Sequence, residues 1–199
     1  MNKKSHISLA VFLANDSSIN DKIKHKKSFY MGSILPDCKP SFVYRQHSFH
    51  TTFKVLHKKI KSITDNYDAE KGMNDFYCRQ LGEITHYIAD YFTFAHDASY
   101  KGSVKDHLSY EKELIPTLDN YMHRLETLNV YVNKIQCRNA EDICNYIIKM
   151  HELYRNSIHT MKNDCGYIIE ICYKVMDAIL QLSDNQCEEK QEELVPATE

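Results

Sequence analysis

The sequence is poor in residues that turn or break the chain: its 199 residues include 5 Gly and 4 Pro, and it has no Trp. Folds with many β-strands need frequent turn residues, so this scarcity argues against them and favours helices. No segment approaches the ~20 apolar residues that a membrane-spanning helix needs. With 43% hydrophobic residues, the chain can bury one sizeable core. We therefore expect a single compact all-α domain.

The sequence also lacks a marked excess of charge of either sign. Its net charge of −2 with neutral His gives no overall field that would attract DNA, so there is no DNA-binding signal. Lys3 and Lys4 precede an apolar run, as in a signal peptide, but Ser8 interrupts that run and no small-residue cleavage site follows. We expect a mature cytoplasmic protein.

Paired cysteines of the zinc-finger type are absent as well. The seven Cys form no Cys-x-x-Cys pair, which excludes a zinc finger and gives no sign of a disulfide framework. Cys137 and Cys144 are seven residues apart, as are Cys165 and Cys172. This spacing places each pair on one side of a helix, so we expect reduced thiols that serve as small core residues.

Helical periodicity is the strongest signal that the sequence does contain. Phe49, Phe53, Leu56, Ile60 and Ile63 alternate spacings of four and three, which predicts an amphipathic helix. Further helices are expected near residues 6–13, 20–34, 74–94, 105–131, 140–161 and 167–182. Residues 1–182 should form the domain, and the polar, acidic residues 183–199 should form a disordered tail.

Eleven histidines, against eight Phe, prompt a search for a metal site. His86 and Asp90 are four residues apart, so on a helix they lie about 40° from each other and can bind one ion. His96 follows Asp90 by six residues, roughly 9 Å along a straight helix, and would serve a second ion better. His107 and Glu111 repeat the four-residue spacing.

Imidazole and carboxylate ligands without cysteine are typical of an open, catalytic zinc site. Two such ions can polarise a phosphoryl group and hold a hydroxide nucleophile. One His-x-x-x-Asp/Glu pair arises easily in a chain with 11 His and 27 acidic residues. Two such pairs, His96 between them, and Asp37 on what we predict to be a loop after Pro36 form a more demanding pattern.

These residues resemble the zinc-dependent phospholipase C family, which shares its all-α fold and metal site with fungal single-strand nucleases. In that family a long central helix carries His-x-x-x-Asp followed six residues later by His, as do His86, Asp90 and His96. The later His-x-x-x-Glu of the family matches His107 and Glu111. The resemblance thus implies a long central metal-binding helix.

Two earlier segments match the family in the same order along the chain. The Gly-Ser-x-x-Pro-Asp loop matches residues 32–37, which end in Asp37, and an early ligand histidine matches His6. The resemblance covers most of the chain. It implies that one zinc ion is surrounded by Asp37, a histidine after it, His86 and Asp90, and a second by His96, His107 and Glu111.

The histidine after Asp37 is either His47 or His50. Ser48 can cap a helix that begins at Phe49, which leaves His47 on the preceding loop, where small members of the family place this ligand. We therefore choose His47.

A third zinc is where this chain departs from the family pattern. Secreted members hold it with the counterparts of His6 and Asp90 and with the amino terminus of a chain that begins with Trp, a residue that this sequence lacks. The resemblance implies two zinc ions and leaves the third open.

The activity implied by the resemblance is phosphoester hydrolysis of the phospholipase C type, by attack of a metal-activated water on phosphorus. Asp37 is then a candidate catalytic residue as well as a ligand. The partner would be a phosphoester, with a phospholipid head group as one candidate, and the oligomeric state is left open. Two alternatives are a nuclease or nucleotidase on the same site and a helical binding protein that holds metal for stability alone.

Overall fold

In the computed structural model, the described residues, 1–38, 48–128 and 133–193, form seven α-helices and a short 3₁₀ helix, with no β-strand among them. The expected all-α class is therefore confirmed. The α-helices are α1 (Lys3–Asn15), α2 (Lys26–Cys38), α3 (Phe49–Ile63), α4 (Asp75–Tyr91), α5 (Val104–Leu128), α6 (Ala140–Arg155) and α7 (Met161–Glu193).

Helix α4 lies at the centre of the molecule and contacts α1, α2, α3 and α7. Asn74 caps its start by accepting a hydrogen bond from the backbone N–H of Tyr77. Every residue from Leu81 to Tyr91 is buried, including the charged Glu83 and Asp90. A helical segment buried on all sides belongs to a core, so the polar groups of this segment lie inside the protein, whereas Asp75 and Arg79 near the start of α4 are exposed.

Two glycines allow α2 and α4 to approach closely. A Cβ atom on Gly32 would lie 2.1 Å from the carbonyl oxygen of Arg79, and one on Gly82 would lie 2.2 Å from that of Phe29. Both neighbours are backbone atoms, which cannot turn aside as a side chain can. The contact between these helices therefore requires glycine on both.

The central helix ends earlier than the sequence predicts. We expected helix as far as residue 94, but α4 ends at Tyr91 and the chain forms a 3₁₀ turn at Phe94–His96, the His96 turn. Thr93 has extended backbone angles immediately before this turn. The bend returns His96 toward Asp90, so the separation expected from a straight helix does not apply.

Helix α2 also differs from the expectation. It begins at Lys26 rather than near residue 20, and it continues through Pro36 and Asp37 to Cys38, so Asp37 lies in the last helical turn and not on a loop. The fixed φ of proline is compatible with a helix. Its missing N–H removes one helical hydrogen bond, and this loss falls in the final turn of α2.

Helix α7 is longer than predicted at both ends. It begins at Met161, so Asp164 lies in its first turn rather than in a polar link, and α6 has already ended at Arg155. It then passes the expected boundary at residue 182 and continues to Glu193. Ser183 is buried and shares a hydrogen bond with the hydroxyl of Tyr77 at 2.8 Å. Residues 183–193 thus differ from the disordered tail that we expected.

None of the helices in the described ranges has a stretch long and apolar enough to cross a membrane. All seven cysteines are free thiols, and Cys144, Cys165 and Cys172 are buried, as expected for small core residues. Cys137 differs from the expectation: it lies before α6 and is only partly buried, so it does not share a helix with Cys144.

Candidate metal centre

The centre is built on the last two turns of α4. His86 and Asp90 lie one turn apart, with Nε2 of His86 3.3 Å from Oδ2 of Asp90. Both side chains are buried. Helix α2 adds Asp37, whose Oδ1 is 3.5 Å from the same His86 nitrogen. The close contact between α2 and α4 therefore brings a second carboxylate to His86.

The other ring nitrogen of His86 is fixed by the backbone of α2. Nδ1 of His86 lies 2.8 Å from the carbonyl oxygen of Ser33 and donates a hydrogen bond to it. A proton on Nδ1 leaves the lone pair on Nε2, the atom that faces the two carboxylates. The carbonyl of Ser33 thus selects the tautomer that a metal ligand requires.

Helix α1 contributes His6 to the same place. Its ring is stacked on that of His86, with centroids 3.9 Å apart, and its Nε2 is 3.3 Å from Oδ1 of Asp90. One ligand atom from each of His6, His86 and Asp90 lies within 4.8 Å of the other two. These three buried residues form the first donor group.

A second donor group lies where the His96 turn meets α5. Oε1 of Glu111 is 3.1 Å from Nε2 of His96 and 3.2 Å from Nε2 of His107. The ligand atoms of these residues also lie within 4.8 Å of one another. His107 is 23% exposed and Glu111 14% exposed, so this group is the one that reaches solvent.

The two groups adjoin each other at Asp90 and His96, where Oδ2 and Nδ1 are 3.9 Å apart. The amino group of Met1 lies at the junction. It is 2.5 Å from Oδ1 of Asp90, 2.6 Å from Nε2 of His96 and 3.3 Å from Oε1 of Glu111. The carboxylates of Asp90 and Glu111, one from each group, therefore converge on a position that accommodates a cation.

Burial controls the protonation of the first group. Burial and the adjacent His86 lower the pKa of His6 to about 3, so its imidazole is neutral near pH 7. Burial alone would raise the pKa of Asp90. The Met1 ammonium and the nearby His96, His86 and His6 outweigh this effect and lower that pKa well below its usual range. Asp90 is therefore ionised.

The second group has the same pattern. Burial would raise the pKa of Glu111, but hydrogen bonds from His107 and His96 and the charge of the Met1 ammonium lower it. Burial lowers the pKa of His96. Burial would also lower the pKa of the Met1 amino group, but Asp90 and Glu111 raise it. Both groups thus offer ionised carboxylates, the form in which these residues bind metals.

The donor atoms fit zinc. Nε2 of His6 and Nδ1 of His96 are buried and make no hydrogen bond within the described ranges, although buried polar atoms normally have a partner. Such nitrogens, together with carboxylate oxygens and no thiolate, form the donor set of a catalytic zinc site. A metal ion would provide the partners that the folded chain does not.

The structure brings together seven of the eight residues proposed as ligands from the sequence: His6, Asp37, His86, Asp90, His96, His107 and Glu111. The eighth, His47, lies outside the described residues. Its alternative, His50, is exposed on α3, and it is not part of either donor group. Ser48 does cap α3, and its N–H donates to Oγ1 of Thr51 at 3.2 Å.

Sequence reasoning missed two groups around the centre. The backbone carbonyl of Ser33 orients His86, and the buried Asp164 accepts hydrogen bonds beside the His96 turn. Ser33 belongs to the Gly-Ser-x-x-Pro-Asp segment, which was a usable signal. Asp164 is 68 positions from His96 along the chain, and no local pattern connects the two.

Comparisons with known proteins agree with this geometry. Residues 5–161 match the model of a family described as zinc dependent phospholipase C. A search of curated proteins and a search of solved structures each found no significant match. The matched segment contains all seven of the converging side chains.

Proposed function

The chain belongs to the zinc-dependent phospholipase C family, and we propose that it is a phosphoesterase whose two donor groups hold zinc and whose substrate reaches them from the side of α5. The match over residues 5–161 supports zinc-dependent activity of the phospholipase C type in general. We infer the residue roles and the substrate class from the geometry of the two donor groups.

The observation that carries this proposal is the adjacency of a buried donor group and a partly exposed one. Asp90 and His96 lie 3.9 Å apart, so ions held by the two groups would be close neighbours. A closed structural zinc site leaves no position for substrate. Here His107 and Glu111 retain solvent exposure of 23% and 14%, so a phosphoryl group and a water molecule would approach the ions from their side.

His6, Asp37, His86 and Asp90 would hold zinc on the buried side, and His96, His107 and Glu111 on the exposed side. When bound, zinc supplies the positive charge that polarises a phosphoryl group and favours ionisation of water. The chain supplies the geometry. Asp90 contacts groups on both sides, and the hydrogen bond from His86 to Ser33 prevents rotation of that imidazole.

Asp37 is our candidate for the group that receives the proton of the attacking water. Its carboxylate is 6% exposed, and Oδ1 is 3.5 Å from Nε2 of His86, so it lies at the edge of the buried group. In hydrolysis the water oxygen bonds to phosphorus, and the bond from phosphorus to the leaving oxygen breaks. The proton passes from the water to Asp37 and then to the leaving oxygen.

Replacement of Asp90 tests this proposal. Asp90→Asn removes a charge that faces both donor groups, so we expect zinc content to fall and turnover of a chromogenic phosphodiester to fall by about 100-fold or more. Asp119→Asn is the matched control, because Asp119 is an exposed carboxylate on α5, and it should leave both quantities unchanged. Full turnover in Asp90→Asn would contradict the proposal.

The substrate class is tested by comparing phosphocholine esters with single-stranded nucleic acid. We expect faster hydrolysis of the small esters, because a net charge of −2 provides no attraction for a long polyanion. Faster cleavage of nucleic acid would favour a nuclease on the same site. Zinc-dependent melting with no turnover of either class would indicate a binding protein that uses metal for stability.

A further inference from the structure

Asp164, in the first turn of α7, is a fully buried carboxylate that the proposed chemistry does not use. It lies three residues beyond the segment that matches the family. In the described part of the chain it accepts hydrogen bonds from three other elements. The donors are the hydroxyl of Tyr110 on α5, the hydroxyl of Tyr154 on α6 at 3.0 Å, and the backbone N–H of Phe94 at 2.7 Å.

Two of these donors reach the same oxygen atom, Oδ2 of Asp164, and each adjoins a proposed ligand. Phe94 is two residues before His96, and Tyr110 immediately precedes Glu111. A single carboxylate oxygen thus connects the His96 turn to the part of α5 that carries Glu111.

The chain between these two points adds a packing contact but no hydrogen bond to the two ligand-bearing positions. Most of residues 97–103, which link the His96 turn to α5, are exposed, and Tyr100 packs its ring against Phe94 and Tyr110 with centroids 5.4 and 6.4 Å apart. The turn is also held by residues near the end of α6 and the start of α7. Asp97 pairs with Nε of Arg155 at 3.5 Å, and the ring of His159 is stacked on Phe94 with centroids 4.2 Å apart.

We propose that Asp164 is a positioning residue of the metal centre, which acts by fixing His96 relative to Glu111. The proposal rests on the zinc site proposed above. The 3.1 Å contact between Nε2 of His96 and Oε1 of Glu111 depends on the placement of two separate elements, and Oδ2 of Asp164 is bonded to both. Groups that orient metal ligands in this way commonly change metal affinity by about 10- to 100-fold.

The test is zinc affinity of the full chain, measured by competition with a chelator. In Asp164→Asn an amide N–H₂ replaces one acceptor oxygen, so the donors from Phe94, Tyr110 and Tyr154 can no longer all be satisfied. We expect zinc affinity to fall about 10- to 100-fold. Tyr110→Phe removes only one of the three donors and should cause a smaller fall.

A role limited to folding is separated by a matched control. Tyr77→Phe removes another buried tyrosine hydroxyl, which bonds to Ser183 at 2.8 Å and not to the metal centre. It should lower the melting temperature and leave zinc affinity unchanged. In a chain that already carries Glu111→Gln, Asp164→Asn should cause little further loss of zinc affinity, because both changes act on the same donor group.

Unchanged zinc affinity in Asp164→Asn, or an equal fall in Tyr77→Phe, would overturn this role for Asp164. If Asp164→Asn does not fold, the affinity of Tyr110→Phe decides in the same way. Zinc binding by the wild type without phosphoester turnover would refute the proposed function and leave this test valid. Failure of the wild type to bind zinc would refute both.

Discussion

At the scale of single residues, the buried histidines within the described ranges have two kinds of surroundings. His6, His86 and His96 face carboxylates of the metal centre. His151 on α6 is buried among aromatic rings instead, and its ring is stacked on Phe49 with centroids 4.0 Å apart. Only the first kind offers nitrogens to a shared ion, whereas the second serves packing.

The surroundings of His151 predict a dependence of stability on pH. Burial lowers the pKa of His151 from 6.5 to about 4, so between these values the unfolded chain binds a proton that the folded chain does not. The stability contributed by burying the neutral imidazole of His151 is fully present above pH 6.5 and is lost as the pH falls toward 4. As the pH is lowered from 7 to 4.5, the melting temperature of His151→Phe should therefore fall less than that of the wild type.

Thermal melting of both proteins across this range checks the prediction. His123 is the matched control, because its side chain is 80% exposed in the folded chain. His123→Phe should retain the pH dependence of the wild type. An identical pH dependence in His151→Phe would show that this buried imidazole is not a source of the acid sensitivity.

At the scale of secondary-structure elements, the contact of α2 with α4 positions the first donor group. It brings the carbonyl of Ser33 to Nδ1 of His86 and Asp37 to Nε2 of the same ring. The glycines at the crossing permit this approach, since a Cβ on Gly82 would lie 2.2 Å from the carbonyl oxygen of Phe29. The candidate metal centre thus depends on a helix contact that has no room for a methyl group.

Gly82→Ala should therefore destabilise the protein by about 1–3 kcal/mol, the usual cost of overpacking a core. It should also weaken zinc binding, because the helices must separate where Ser33 contacts His86. Urea unfolding and chelator competition measure the two effects. Gly166→Ala on α7 is the control: its Cβ would be 3.3 Å from a movable tyrosine hydroxyl, and a helical Gly to Ala change gains about 0.5–1 kcal/mol.

If Gly82→Ala were as stable as the wild type, the contact between α2 and α4 would not require glycine at this position. A loss of stability without any change in zinc affinity would show that the two helices can separate while the donor group stays intact.

Local patterns in the sequence were enough to predict most helices and the two His-x-x-x-Asp/Glu pairs. The start of α3 after Ser48 and the pairing of His86 with Asp90 depend on residues within one helical turn. The end of α4 and the His96 turn could not be predicted in this way. They coincide with a hydrogen bond from Phe94 to Asp164, which is 70 residues away.

The helical conformation of residues 183–193 could not be predicted from local sequence patterns either. Their polar composition gave no apolar face that predicts a helix, yet α7 continues through them. Ser183 is buried there, and its hydroxyl is satisfied by Tyr77 and by the carbonyl oxygen of Ile63, 3.2 Å away. Polar residues can continue a helix in a core when tertiary partners satisfy their hydrogen bonds. Such partners are known only once the fold is known.

At the scale of the whole molecule, the candidate metal centre is assembled from residues of α1, α2, α4, the His96 turn and α5. Zinc bound to side chains from so many elements would stabilise the folded chain, because the unfolded chain has no such assembled site. The family match spans these elements, and α7 adds Asp164 from beyond it. Catalysis and folding are therefore expected to depend on the same ions.

The most direct test of this account is zinc titration of the chelator-treated protein, with turnover of a phosphodiester measured in the same samples. The two donor groups predict that the metal-free chain has no turnover and that activity returns as zinc binds, reaching its maximum with at least two ions per chain. Turnover that survives complete removal of zinc, or a protein that folds and binds none, would contradict the account.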